Sequence, residues 1–221
     1  MKLLFRAITK FIVGLVLVGM LLFLPAGTFV YVNAWMFIAL LFIPIFILGV
    51  VLFIKSPELL EKRLNAKEEE TTQKGVVTIS GILFLAGFII AGLDFRFGWS
   101  HVPNWTVILA ALILLAAYGF YAEVMRENAY LSRTIEVQEN QKVIDTGLYG
   151  IVRHPMYAAT IWLFLAVPIV LGSWWSFLCF LPYIPVIAVR IINEEKILSA
   201  ELMGYEDYKK RVKYRIIPFI W

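Results

Sequence analysis

The chain has 221 residues, of which 61% are hydrophobic and 16% are charged, and it carries a net charge of +4. Its mean hydropathy of +0.82 is far above that of a soluble globular protein. The single cysteine, Cys179, excludes an internal disulfide and a cysteine-based metal cluster. The sequence therefore predicts an all-α, polytopic integral membrane protein, and we expect neither a metal nor a nucleic-acid partner.

Uncharged apolar runs define the predicted membrane helices. One crossing needs about 20 mostly apolar residues. The first run, 11–54, and the last, 155–189, are long enough for two helices each, with turns near Pro25 and Gly172. We therefore predict about six transmembrane helices, at residues 9–30, 34–54, 76–93, 104–124, 155–171 and 174–195.

The basic residues predict the orientation of these helices. With six crossings, 19 of the 20 Lys and Arg residues fall on one side of the membrane, and only Arg96 falls on the other. Basic residues favour the cytoplasmic side, so we expect both termini to lie there. The basic, apolar N-terminus is interpreted as a retained helix, because no small-residue cleavage site ends its long run.

The chain divides into two regions by its polar content. Residues 1–125 form the predicted four-helix transmembrane region, whose cytoplasmic loop contains a short helix that begins at Pro57 and lies on the membrane surface. Residues 126–221 form the second predicted region: a polar, extended loop over 134–147, the helical hairpin and an amphipathic C-terminal helix. Tyrosines near the C-terminus, such as Tyr205 and Tyr208, are typical of an interfacial aromatic belt.

A polar, cationic turn precedes the first helix of the hairpin. Pro155 suits the first helical position, so the free N–H groups of the helix start face the membrane boundary. Arg153 and His154 add donors there, which favours binding of an anionic group. Tyr149 and Tyr157 flank the turn. An ordinary Arg–Tyr membrane anchor is the structural alternative.

A second polar cluster follows the apolar run. Arg190 and Glu194 are four residues apart and therefore share one helical face. A charged residue at the end of an apolar helix often marks a functional site, although a snorkelling ion pair is the structural alternative. Because both clusters lie at the cytoplasmic ends of one hairpin, we expect them to be neighbours.

Residues 120–221 resemble the isoprenylcysteine carboxyl methyltransferase family, which is itself similar to the phospholipid methyltransferases. The resemblance rests on Gly147-Leu148-Tyr149, Arg153-His154-Pro155-Met156-Tyr157, Arg190 with Glu194-Glu195, and Gly204-Tyr205 with Tyr208. It implies that residues 126–221 are the catalytic region and that their polar loop is a cofactor loop. The implied reaction binds S-adenosyl-L-methionine, transfers its methyl group to a lipid-linked acceptor and releases S-adenosyl-L-homocysteine.

The same resemblance implies roles for individual residues. Arg190 would face the acceptor, and Glu194 would close the cofactor pocket, so both are candidate catalytic residues. The implied cofactor-binding residues are Gln138, Gln141, Lys142, Val143, Ile144, Tyr149, His154, Pro155, Met156, Tyr157 and Glu194.

Several acceptors are possible, and Arg190 at the acceptor end favours an anionic one, so the carboxylate of a prenylated cysteine or of a similar lipophilic molecule is the predicted acceptor. The carboxylate of a prenylated cysteine is ionised at pH 7 and needs no base, and Arg190 could orient it. A phosphatidylethanolamine-type amine must first lose a proton, for which Glu194 is a candidate base. Another prenylated metabolite or a lipophilic thiol is a further possibility. In each case the acceptor would enter from the bilayer and the cofactor from the cytoplasm.

A non-enzymatic membrane scaffold or transporter is the alternative of another class. Ion-coupled transporters usually keep ionisable groups near the membrane midplane. The apolar spans of the first four predicted helices contain none. The sequence therefore favours the enzyme, and it leaves the oligomeric state open.

Overall fold

The computed structural model describes residues 2–64, 71–128, 130–131 and 137–221, and within these ranges the chain is helical, without strands. Its α-helices are α1 (Lys2–Ala26), α2 (Val32–Lys55), α3 (Pro57–Leu64), α4 (Thr71–Phe97), α5 (Asn104–Glu127), α6 (Pro155–Val170), α7 (Trp174–Phe180), α8 (Tyr183–Glu201) and α9 (Tyr205–Arg211). A short 3-10 turn covers Gly147–Gly150. Residues 134–136 of the predicted extended strip lie outside the described part.

Long apolar helices dominate the described chain. Five segments are long and apolar enough to cross a membrane: α1, α2, α4, α5 and the stretch Trp174–Glu201 formed by α7 and α8. The apolar α6 is shorter, at 16 residues. Large apolar side chains such as Phe46, Ile54 and Trp105 are more than half exposed, as expected of a lipid-facing surface. The prediction of an all-α integral membrane protein with about six spans is confirmed.

Several predicted helix ends are wrong. The first helix covers Lys2–Ala26 instead of 9–30, because Gly27 adopts a left-handed conformation (φ +69°) that ends it. The third predicted helix, 76–93, extends in both directions to Thr71–Phe97. The last one continues to Glu201, and it is interrupted near Pro182, which lacks the N–H that a continuous helix requires.

Polar contacts join the helices at the hairpin turn, which lies where the sequence predicts it. Gly172 has a positive φ of +77°, and the Ser173 hydroxyl caps α7. The buried Asp94 carboxylate accepts hydrogen bonds from the Ser173 hydroxyl and from the N–H and hydroxyl of Ser100, the latter two at 2.7 and 2.6 Å. The Tyr31 hydroxyl donates to a carbonyl of the same turn at 2.5 Å. We call this the turn end.

At the opposite end, here called the polar end, contacts join α1 to α3, α3 to the strip after α5, and the C-terminal segment to the start of α6. Lys10 of α1 donates to a main-chain carbonyl at the end of α3 at 2.5 Å. Lys62 of α3 donates to the Gln138 side chain at 2.6 Å. The Arg153 N–H donates to the Tyr214 carbonyl at 2.9 Å, which fixes the C-terminal segment against the start of α6.

One prediction about membrane-surface residues is wrong. Tyr205 and Tyr208 of α9 are buried against neighbouring apolar residues instead of joining an exposed aromatic belt. Helix α3 begins at Pro57 as predicted, and its Leu59 and Leu60 are buried against the protein. Local amphipathicity predicts a buried face without identifying what covers it.

Candidate active site

A cleft opens at the polar end, between the end of α5, the extended strip after it, the start of α6, and helices α8 and α9. Its lining residues are Asn128, Tyr130, Leu131, Gln141, Lys142, Val143, Ile144, Tyr149, Arg153, His154, Met156, Tyr157, Arg190, Glu194, Leu198, Leu202, Tyr205 and Tyr208. The two polar clusters of the hairpin thus meet at one site, as the sequence predicts. Both apolar and polar side chains line the cleft, which is typical of a small-ligand site.

The 3-10 turn that precedes α6 is held from α5. The Glu127 carboxylate accepts from the Leu148 N–H at 3.0 and 3.2 Å, and Gly147 passes directly beside this carboxylate with a φ of +53°. The Tyr149 hydroxyl accepts from the Asn128 amide at 3.0 Å. Burial raises the pKa of Tyr149 to about 12, so its hydroxyl stays protonated at physiological pH.

Glu195 forms a buried polar cluster beneath the cleft. One of its carboxylate oxygens accepts from Arg153 Nε at 2.7 Å and lies 3.2 Å from His154 Nε2. The other oxygen accepts from Arg215 Nε at 2.9 Å. The anion that Arg153 and His154 contact here is therefore a carboxylate of the chain itself, rather than an external ligand as the sequence suggests.

The Tyr157 hydroxyl connects the two polar clusters on the α8 side of the cleft. It donates to Glu194 Oε2 at 2.6 Å and accepts from Arg190 Nε at 2.9 Å. Arg190 Nη1 also donates to the side-chain oxygen of Gln73 on α4 at 3.0 Å. The prediction that Arg190 and Glu194 share a helical face agrees with this arrangement, because both reach the same hydroxyl.

Helix α9 closes the cleft with two tyrosines. Tyr208 donates its hydroxyl to the Tyr149 carbonyl at 2.8 Å. The Tyr205 hydroxyl is buried and has no hydrogen-bond partner among the described residues. Burial, reinforced by the nearby carboxylates of Glu195 and Glu194, raises the pKa of Tyr205 well above its usual value. This hydroxyl is therefore a protonated, unused donor beside the cleft.

The comparison with known families identifies the segment that carries most of this cleft. The phospholipid methyltransferase family model matches residues 105–203, from the start of α5 to the end of α8. The predicted resemblance is thereby confirmed at the level of this wider family. No curated protein matches the chain. The family match and the apolar helices identify the protein as a membrane methyltransferase.

Most of the residues that the sequence assigns to the methyltransferase site line the cleft. They are Gln141, Lys142, Val143, Ile144, Tyr149, His154, Met156, Tyr157, Arg190 and Glu194. Gln138 and Pro155 are not among the described lining residues. The Gln138 side chain instead contacts Lys62 and the Tyr130 carbonyl, and Pro155 is buried in the first turn of α6.

Three residues in or near the cleft have no assigned role in the sequence prediction. Gln73 contacts Arg190, which is 117 positions away in the sequence, so no local pattern predicts this contact. Glu195 and Tyr205 both belong to the motif set behind the family resemblance, and that set is the one signal that could have identified them. Helix α9 and Gln73 both lie outside the segment matched by the family model.

Proposed function

We propose that this methyltransferase methylates the carboxylate of a prenylated cysteine, or of a similar lipophilic acid, with S-adenosyl-L-methionine as methyl donor. The observation that carries the proposal is Arg190, a cation that lines the cleft where α8 meets the apolar helices. A guanidinium there favours an anionic acceptor, because it can hold a carboxylate through charge-assisted hydrogen bonds. The prediction of the same acceptor from the sequence rests on the same residue.

The cleft residues fit the proposed cofactor. When bound, S-adenosyl-L-methionine supplies an activated methyl group on a positively charged sulfur. Glu194 offers a carboxylate to the cationic part of such a ligand, and Tyr205 offers a buried donor without a described partner. Val143 and Met156 provide apolar surface for a flat base. Tyr149 and His154 complete the set of residues that would hold the cofactor.

The side chains of the cleft would act mainly by positioning. An acceptor carboxylate is already ionised at pH 7, so no residue has to remove a proton. Arg190 would hold the carboxylate in line, and its contact with the Tyr157 hydroxyl fixes its own direction. The apolar helices around the polar end would admit the lipid chain from the bilayer. By the distribution of basic residues, this end and both termini are cytoplasmic.

Methylation of a phospholipid amine is the second candidate. It is favoured by the family match itself, whose model is that of phospholipid methyltransferases. An amine acceptor would have to lose a proton before transfer. Glu194, hydrogen-bonded to Tyr157 at 2.6 Å, is the carboxylate available in the cleft for that step.

One experiment separates the two acceptors. Purified protein is incubated with methyl-labelled S-adenosyl-L-methionine and either N-acetyl-farnesylcysteine or phosphatidylethanolamine vesicles. We expect label in the prenylcysteine that mild alkali releases as methanol, since an ester is hydrolysed and a methylated amine is not. Alkali-stable label in the phospholipid alone would reject the carboxylate proposal, and absence of transfer to both would reject both candidates.

A tyrosine substitution tests the proposed cofactor site without turnover. We expect Tyr205→Phe to weaken binding of S-adenosyl-L-homocysteine about 5- to 10-fold, the equivalent of one lost hydrogen bond. Its thermal stability should not fall, because the hydroxyl has no described partner to lose. Tyr208→Phe is the matched control, and it should lower stability through the lost bond to Tyr149. Unchanged affinity of Tyr205→Phe, measured by calorimetry, would contradict the assigned site.

A further inference from the structure

We propose that the chain returns to the membrane after α9 and that the turn formed by residues 216–221 inserts into the lipid leaflet at the polar end. These residues, here called the apolar turn, are Ile216, Ile217, Pro218, Phe219, Ile220 and Trp221. The partner is the lipid surface itself, contacted at the depth where the headgroups meet the acyl chains. The inference concerns attachment to the membrane, so it holds or fails independently of the methyl acceptor.

The first and last residues of the apolar turn place it beside the membrane-spanning helices. Ile216 and Trp221 pack against a buried cluster of α6 and α8 that consists of Tyr157, Tyr183, Ile187 and Ile191. Just before the turn, the Arg215 carbonyl accepts from the His154 N–H at 2.8 Å, and the Arg215 guanidinium binds Glu195. Because Ile191 lies one helical turn from Glu195 toward the turn end, the apolar turn is on the bilayer side of Arg215.

The remaining side chains of the apolar turn face away from the protein. Phe219 is 87% exposed, Ile220 is 77% exposed and Ile217 is 48% exposed. They continue the apolar surface of α8, since the exposed Ile192 of that helix lines the same open groove as Arg215. Large apolar side chains are unfavourable in water and favourable at a lipid boundary. The apolar turn therefore presents the surface of an interfacial membrane segment.

The backbone at Phe219 adopts a conformation that suits glycine better than phenylalanine. Residues 217–220 form a β-turn in which the Ile220 N–H donates to the Ile217 carbonyl at 3.2 Å, with Pro218 second and Phe219 third. Phe219 has a φ of +66°, and glycine is the usual residue for such a value at this position. Its ring meets that of Tyr214 at a centroid distance of 5.3 Å, yet most of it stays exposed. Packing thus does little to offset the strain, whereas insertion into lipid does.

The apolar turn also satisfies most of its own amide groups, as irregular backbone beside lipid requires. Three successive N–H groups, those of residues 215–217, donate to a Trp221 main-chain oxygen at 2.8–3.2 Å. The last two N–H groups of the turn donate to the Ile217 carbonyl at 3.2 and 3.1 Å. Pro218 has no N–H, so the Phe219 amide is the one donor without a partner among the described residues. A single amide at the tip indicates the headgroup boundary rather than the hydrocarbon core.

The test measures the depth of the apolar turn by spin labelling in nanodiscs of phosphatidylcholine and phosphatidylglycerol. In a Cys179→Ala background, Phe219→Cys and Ile220→Cys each receive a nitroxide label. Lys210→Cys is the matched control, because Lys210 is exposed on α9, just outside the turn. Collisions of each label with oxygen, which concentrates in lipid, are compared with collisions with a water-soluble nickel chelate.

We expect the ratio of oxygen to nickel collisions to be at least about 5-fold higher at positions 219 and 220 than at position 210, because the apolar face of an interfacial segment lies about 5–10 Å inside the headgroup boundary. Nickel collisions as frequent at 219 and 220 as at 210 would place the turn in water and overturn the proposal. Few collisions with either reagent would place it against protein, such as a second copy of the chain, and would also overturn it.

Thermal unfolding in detergent checks that the labelled variants are folded. Both should unfold like the Cys179→Ala parent, since Phe219 and Ile220 are mostly exposed and contribute little burial. Two label positions keep the test valid if one variant misfolds. A clear loss of Tm in both variants would assign the turn a role in folding and would reject the proposal as well.

Discussion

Replacement of Glu195 by alanine is expected to cause one of the largest losses of stability that a single substitution can produce in this protein. The Glu195 and Arg153 side chains are each only 6% exposed, and they are joined at 2.7 Å. The substitution leaves the Arg153 guanidinium buried without its carboxylate, although it keeps hydrogen bonds to the Val212 and Lys213 carbonyls. Arg215, which is 31% exposed, can turn toward water instead.

The size of the effect follows from the unpaired charge. Removal of one partner from a buried ion pair costs about 3–5 kcal/mol. In a chain of this length, each kcal/mol lowers Tm by roughly 2–4 °C. Glu195→Ala should therefore lower Tm by about 6–20 °C. Glu195→Gln should lose less, because the amide oxygen can still accept from Arg153.

The assay is thermal unfolding of the purified protein in detergent, with the single and double variants measured together. If the buried charge causes the loss, Arg153→Met combined with Glu195→Leu should recover at least half of it, since the unpaired Arg153 charge is gone and Arg215 can turn toward water. A double variant as unstable as Glu195→Ala would refute this reasoning. A fall of less than about 2 °C in Glu195→Ala would refute the estimate of about 6–20 °C itself.

Two further predictions concern the stability of the tight turn before α6 and the even number of membrane crossings. Gly147→Ala should lower the free energy of unfolding by about 1–3 kcal/mol, because φ is +53° and the added carbon would lie 1.7 Å from a Glu127 oxygen. Gly119→Ala is the control, because Gly119 faces open space on α5, and it should be neutral or stabilising. Both are measured by thermal unfolding in detergent. In a Cys179→Ala background, Met203→Cys and His101→Cys should react with a membrane-impermeant thiol reagent from opposite sides of intact vesicles, and same-side labelling would contradict six crossings.

The hairpin and its turn could be predicted from sequence because the information is local. An uncharged run of sufficient length and a Gly172-Ser173 turn are enough to define it. The end of α4 is different. Near its end at Phe97, the Asp94 carboxylate accepts hydrogen bonds from Ser100 and from Ser173, which is 79 positions away in the sequence. No local pattern contains that contact.

The site shows the same division between local and long-range information. The motif around Arg153 and His154 predicts where α6 begins, and the residues at that helix start line the cleft. Neighbouring residues on a helix point in different directions, so only one of Glu194 and Glu195 can face the cleft; the prediction of Glu194 rests on the family resemblance and on the four-residue spacing from Arg190. In the structure Glu194 lines the cleft and Glu195 binds the buried arginine.

The buried Asp94 contacts fix one end of the hairpin. Asp94 ties the loop after α4 to the start of α7 through Ser100 and Ser173, and the Tyr31 hydroxyl binds the same turn. Helix α4 is thus joined to the second arm of the hairpin at both of its ends, since Gln73 also binds Arg190 at the polar end. A lipid acceptor that entered between α4 and α8, as the proposed function allows, would have to pass between these two ties or break one of them.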